Sequence, residues 1–294
     1  MSTPPPLSAD ARAACRTIVF AHANGFPAGC YRQLFEPWRA AGFRVLAPPR
    51  LGHDARFPVT DNWPRLRDEL LDFAEREAGG PAFLVGHSLG GYLSAMAASR
   101  RPDLAAGVVL LDAPIVGALL AQGVRLFKAT GWGKRFSPGQ VSRRRREHWP
   151  DADAAHAHFA AKPAFARWAP GVLADYVACG IVLAAPNGDG DDDGGAAAGH
   201  TLAFRREVET AIYETLPHHL AHELRRHPPR CPMAFVGGRQ SAEVRRVGLA
   251  ATLRFTHRRV GWVDGTHLFP FEQPALAAAR TLDWLGAFSG RGDA

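Results

Sequence analysis

Short apolar runs separated by longer stretches of helical periodicity organise this chain. Residues 17–21 (Thr-Ile-Val-Phe-Ala), 43–47, 81–86 and 107–111 each have the length of one buried strand. Between them, residues 30–41 set Tyr31, Leu34, Phe35 and Trp38 on one helical face. Residues 63–78 do the same with Trp63, Leu66, Leu70, Leu71 and Phe73, and Gly79-Gly80 stops that helix. Residues 92–100 form a third, Ala- and Leu-rich helical run. Continuous apolar strands joined through helices predict an α/β fold with a mostly parallel sheet flanked by helices on both faces. Ligands of such sheets bind at the C-terminal ends of the strands.

The rhythm stops near residue 113. Residues 113–230 are rich in Ala, Arg and His, hold scattered aromatics and show no clear strand, so they read as an inserted, mostly helical lid. Within it, the Gly- and Asp-rich run near 186–200 reads as a disordered surface loop. It lacks the spaced ligands and the terminal glutamate of a calcium loop. The α/β pattern resumes with a strand at 231–238, a helix at 242–252, a short strand at 259–263 and an amphipathic helix at 274–288. The expected organisation is therefore a loose Pro-rich arm over 1–15, a core of 16–112 and 231–294, and the lid between.

Chemistry concentrates where the apolar strand 81–86 ends, at Gly86-His87-Ser88-Leu89-Gly90-Gly91. A serine on a sharp strand-to-helix turn needs small residues two before and two after it, because the backbone packs closely there. The turn would lift the Ser88 hydroxyl above the sheet and aim the unpaired N–H groups of a helix N-terminus at an adjacent oxyanion. A serine hydroxyl is a poor nucleophile at neutral pH, so it needs a base in hydrogen-bond reach and a carboxylate that orients the base. His267, in the turn Gly265-Thr266-His267 after the last expected strand, suits the base. Asp112, at the end of the strand after the serine, suits the acid, with Glu243 as the alternative. His22, in the loop after the first strand, reads as a loop brace, His87 as structural, and the remaining histidines as surface residues.

Composition adds exclusions. The chain has 294 residues, 47% hydrophobic, and a formal net charge of +7. The basic residues are spread along it without a nucleic-acid motif, apart from Arg143 to Arg146, which reads as a solvated face. Trp132, Arg135 and Phe136 mix with that run; they suit a pocket cap as well as a membrane-facing patch, and no membrane partner is assigned. Cys15, Cys30, Cys179 and Cys231 show no metal or redox spacing, which fits inert thiols in a reducing compartment. With no signal peptide and no long apolar span, the expected location is cytoplasmic. The chemistry requires no cofactor and no metal-ligand spacing appears.

Together, Gly86-His87-Ser88-Leu89-Gly90-Gly91, Gly265-Thr266-His267 and His22-Ala23-Asn24-Gly25 resemble the α/β-hydrolase superfamily of serine hydrolases, over residues 17–112 and 231–288. The resemblance implies an oxyanion hole made by the backbone N–H groups of Asn24 and Leu89, and a bracing role for His53 in Gly52-His53-Asp54. Two departures stand out. About sixteen residues precede the first strand, so the usual N-terminal hairpin is missing or reduced. The usual acid position after the strand before the histidine holds no aspartate, only Gly237-Gly238-Arg239-Gln240-Ser241-Ala242-Glu243. The implied function is hydrolysis of a carboxylic ester or similar acyl bond in a small molecule through an acyl-serine. Cleavage of a C–C bond or lactone by the same triad, and non-catalytic small-molecule binding, are the alternatives.

Overall fold

A computed structural model describes residues 7–129, 139–184 and 199–290. Its backbone begins with helix α1 (Ala9–Ala14), capped by Ser8, whose Oγ accepts the Ala11 N–H at 3.1 Å. The loose arm expected over 1–15 is thus partly helical. Strand β1 (Thr17–Ala21) follows, then a 3-10 turn (Ala28–Tyr31), α2 (Arg32–Ala40), β2 (Arg44–Leu46), α3 (Pro64–Ala78), β3 (Ala82–His87), α4 (Leu89–Arg100) and β4 (Ala105–Leu111). Every residue of β3 and β4 is buried, which is why both read as unbroken apolar runs rather than alternating ones.

Beyond β4 come α5 (Ala118–Ala129), α6 (Gly139–Arg143), β5 (His148–Trp149), α7 (Ala152–Ala160), α8 (Val172–Gly180), β6 (Ile181–Leu183), β7 (His200–Leu202), α9 (Arg206–Glu214) and α10 (Leu220–Arg226). The chain then returns to the core through β8 (Met233–Gly238), α11 (Ala242–Val247), α12 (Ala250–Phe255), β9 (Val260–Val263), α13 (Phe269–Glu272) and α14 (Pro274–Phe288). Six strands form one sheet in the order β2-β1-β3-β4-β8-β9, paired parallel throughout. Among the described residues no strand precedes β1. The chain winds outward from β1 to β2 on one side and from β3 to β9 on the other. The reversal point opens a crevice between the loops that leave β1 and β3.

Helices α2 and α14 cover one face, joined by the Trp38 Nε1 hydrogen bond to the Ala278 carbonyl at 3.2 Å. An aromatic nest of Phe20, Tyr31, Phe35 and Trp38 fills that side. Helices α3, α4 and α10 cover the other face over an aliphatic core that includes Leu66, Leu70, Leu93 and Met96. The expected single helix at 242–252 is broken at Gly248, whose φ of 73° ends α11.

The segment 113–230, expected to be mostly helical without a clear strand, also holds short strands. Strands β5, β7 and β6 form a second, antiparallel sheet, with His148 opposite Thr201 and Val182 opposite Thr201 on the other side. Strands of two or three residues are too short to produce a readable alternation. The loop expected near 186–200 and the Trp132, Arg135 and Phe136 cluster lie largely or wholly outside the described residues. Among those described, no helix is long and apolar enough to cross a membrane. The sulfurs of Cys30 and Cys179 sit 3.1 Å apart where the 3-10 turn meets α8, both as thiols.

Buried Glu69 of α3 tethers the loop after β2 by accepting the Gly52 N–H at 2.7 Å. Burial raises its carboxyl to about 7 from an ordinary 4.5, against the smaller, opposite pull of that hydrogen bond. The fold therefore prefers the protonated acid: this contribution is whole below about pH 4.5 and is lost as pH rises through about 7. Glu69→Gln keeps an acceptor and cannot ionise. Its thermal midpoint should exceed the parent's at about pH 8, with the gap closing toward about pH 4.5; a pH-independent gap in circular-dichroism melts would refute this.

Candidate active site

The elbow begins where β3 ends. Ser88 adopts φ 54° and ψ −114°, a conformation that L-residues avoid, and its N–H is held by the Leu111 carbonyl at 2.9 Å. The flanking glycines are required by contact. A Cβ on Gly86 would lie 2.2 Å from the Gly90 backbone, and one on Gly90 would lie 1.9 Å from the Ala21 carbonyl oxygen. Any side chain there would push α4 off β1 and β3. Leu89 is the first residue of α4, so its N–H has no partner within the helix.

The structure brings Ser88, His267 and Asp112 together. His267 Nε2 lies 3.0 Å from Ser88 Oγ, and its Nδ1 lies 2.7 Å from Asp112 Oδ2. Asp112 is 1% exposed and uses both oxygens: Oδ1 accepts the Gly238 N–H at 2.7 Å, and Oδ2 also accepts the Ser241 hydroxyl at 2.5 Å. Glu243, the other sequence candidate, stands 3.8 Å from the same imidazole nitrogen, with its side chain 39% exposed. Burial lowers the His267 pKa, but the Asp112 hydrogen bond, the Asp112 charge and the Glu243 charge together hold it above its ordinary 6.5. Donor atoms of Asp112, Glu243 and His267 fall within 4.8 Å of one another, the one grouping among the described residues that could hold a metal ion.

The turn that carries His267 is braced by a residue that sequence reading passed over. Glu272 accepts the Thr266 N–H at 2.7 Å and the Thr266 hydroxyl at 2.6 Å, and pairs with Arg167 at 3.2 Å. Ser241 was also missed, although its position at the N-cap of α11, accepting the Val244 N–H at 3.2 Å, carries a sequence signal.

Asn24 and its neighbours form the loop after β1, across the crevice from Ser88. His22 braces that loop, its Nε2 accepting the Leu51 N–H at 2.7 Å while Nδ1 donates to the Ala23 carbonyl at 2.9 Å. Burial lowers its pKa to about 4, so the ring is neutral. His53 accepts the Arg205 N–H at 3.0 Å and so ties the loop after β2 to the inserted segment. Asn24 Nδ2 donates to the Glu209 carbonyl at 3.0 Å. The Glu209 carboxylate is buried against Arg145 at 2.9 Å and Ser142 at 3.0 Å, and Arg145 also reaches the Tyr176 hydroxyl. The Arg143 to Arg146 run is therefore not simply a solvated face. Arg143 pairs with Glu214, and the Arg145 side chain is mostly buried because it neutralises the carboxylate of Glu209, the residue whose main-chain carbonyl holds Asn24.

Comparison with known proteins agrees with this architecture. A family model for the Alpha/beta hydrolase family matches residues 18–280. Over 113 residues the chain is 36% identical to a probable esterase of Oryza sativa subsp. indica, a stretch covering 37% of this chain and 43% of that protein. Over 106 residues it is 33% identical to the monoglyceride lipase of Homo sapiens, covering 34% of this chain and 35% of the lipase. These alignments span less than half the length of either relative. Among solved structures, the thioesterase domain from the curacin biosynthetic pathway superposes with a TM-score of 0.66 at 17% identity, over 92% of both chains. An esterase of M. tuberculosis superposes with a TM-score of 0.63 at 19% identity, over 93% of this chain and 86% of that one. At such identities the likeness is one of fold.

The Arg145–Glu209 pair gives a direct test of the anchor. Arg145→Met leaves a buried carboxylate uncompensated and should cost about 3–5 kcal/mol of unfolding free energy in urea titrations. Adding Glu209→Leu should recover most of that loss; a double variant no more stable than the single one would refute the ion-pair account.

Proposed function

The chain belongs to the alpha/beta hydrolase family, and from that premise we propose that it hydrolyses a small-molecule carboxylic ester, or a similar acyl bond, through an acyl-serine on Ser88. The observation that carries this reading is the bridging position of His267, 3.0 Å from Ser88 Oγ and 2.7 Å from Asp112. Ser88 Oγ attacks the acyl carbon while its proton passes to His267 Nε2. Asp112 accepts from Nδ1, keeps the ring in the tautomer that leaves Nε2 free, and stabilises the imidazolium. The Asn24 and Leu89 N–H groups receive the developing oxyanion. The tetrahedral intermediate collapses as His267 returns the proton to the leaving alcohol oxygen. A water, deprotonated by the same histidine, then attacks the acyl-serine and releases the acid.

Asp112 takes the orienting role in this reading because it alone of the two acids makes a hydrogen bond to Nδ1 and is itself immobilised by two further donors. Residues 113–230 act as the lid that shapes the acyl pocket, a role supported by the Asn24–Glu209 and His53–Arg205 contacts beside the crevice. The relatives, a probable esterase and a monoglyceride lipase, fit an ester of modest size.

A fluorophosphonate probe with mass spectrometry to locate the adduct tests the mechanism. Ser88 should label in the parent, Ser88→Ala should not, and Asp112→Asn should slow ester turnover by about 10³–10⁴-fold. An unlabelled parent would overturn the acyl-serine. The pH profile offers a second check. His267 must be neutral to accept the serine proton, and its pKa is held above 6.5, so kcat/KM should fall as pH drops through that raised value. Glu243→Gln removes one raising charge and should move this acid limb to lower pH; an unmoved limb would separate Glu243 from the base.

A further inference from the structure

Between the serine and the aromatic nest runs a buried chain of hydrogen bonds that the proposed mechanism does not use. The Ala23 N–H donates to Tyr31 Oη at 3.1 Å, Tyr31 Oη lies 2.8 Å from His87 Nδ1, and His87 Nε2 lies 2.9 Å from the main-chain carbonyl of His267. Its two ends fix its polarity. A backbone amide can only donate and a carbonyl can only accept, so His87 must carry its proton on Nε2 and Tyr31 must donate to Nδ1. Each link then has one donor and one acceptor.

We propose that Tyr31 and His87 act as positioning residues, a relay that sets the separation of the Asn24 loop from the His267 loop so that oxyanion donors and base act together on the acyl group that Ser88 attacks. The inference rests on the acyl-serine reading for its consequence, though not for its geometry. Ala23 directly precedes Asn24, the carbonyl end belongs to His267 itself, and His87 directly precedes Ser88. One rigid path thus joins the three parts of the site, which lie on three different strand ends. Tyr31 is 1% and His87 0% exposed, packed against Phe20 and Phe271. Two polar side chains in such surroundings are costly unless their hydrogen bonds are made. Burial accordingly lowers the His87 pKa to about 3 and keeps the ring neutral, as the relay demands.

Positioning of this kind acts on the transition state more than on substrate binding, since a displacement of about 1 Å can cost about 10²-fold in rate. Tyr31→Phe deletes one oxygen from the relay and leaves the packing. With p-nitrophenyl acetate, kcat should fall by about 10- to 100-fold while KM holds, and affinity for a boronic acid that mimics the tetrahedral state should fall by a similar factor. His87→Leu combined with Tyr31→Phe should be no slower than His87→Leu alone, because a relay is broken only once. A Tyr31→Phe protein with the parent's kcat, or losses that multiply in the double variant, would overturn the relay. The parent itself supplies a test free of mutation and of activity: ¹⁵N histidine spectra should show His87 as the neutral Nε2–H tautomer, and an Nδ1–H tautomer would overturn the proposal. Failure of the parent to label with fluorophosphonate would instead strike the acyl-serine reading alone.

Discussion

One buried carboxylate organises the crevice. Asp112 leaves the end of β4 at 1% exposure, with φ at 44°, and an ionised group there would be prohibitively expensive without partners. Three donors meet it: the Gly238 N–H from the end of β8, the Ser241 hydroxyl from the start of α11, and His267 Nδ1 from the loop after β9. The carboxylate therefore draws three separate chain segments to one point. The imidazole it holds is left with Nε2 turned toward Ser88. Electrostatic necessity and the placement of the imidazole are one constraint.

The same economy of buried charge appears across the crevice. Glu209, on α9, holds the Asn24 side chain through its main-chain carbonyl, and Ser142 of α6 and Arg145 just beyond that helix gather around its carboxylate. An inserted segment so attached holds the loop after β1 rather than hanging as an appendage. The neutral, buried histidines His22 and His87 serve a parallel purpose: each uses both ring nitrogens, His22 to fix its own loop and join it to the loop after β2, His87 to join the 3-10 turn to the His267 loop. Imidazole suits this task because one ring offers a donor and an acceptor on opposite sides.

Legibility from sequence followed the range of the interactions. The elbow was readable because its requirements are local: a strand, two small residues at fixed offsets from Ser88, and a helix. His267 was readable by its place after the last strand. The carboxylate was readable only as Asp112 with Glu243 for an alternative, since more than a hundred residues of inserted chain separate the two and packing decides which reaches Nδ1. Arg145 misled for a related reason. A run of four arginines signals solvent on average, while burial of a single member depends on an acid, Glu209, 64 residues away in sequence. The short strands β5, β6 and β7 escaped because two or three residues carry no period.

By itself the sequence determined the α/β class, the parallel sheet and the identity of Ser88 and His267 as candidates, because hydrophobic periodicity and turn sterics act between near neighbours. Tertiary structure alone decided which carboxylate meets the imidazole, how the inserted segment seats on the Asn24 loop, and that Tyr31 and His87 join the loops on either side of the serine. Those outcomes depend on angstrom-scale distances between strand ends, and such distances exist only once the sheet has set its order and register.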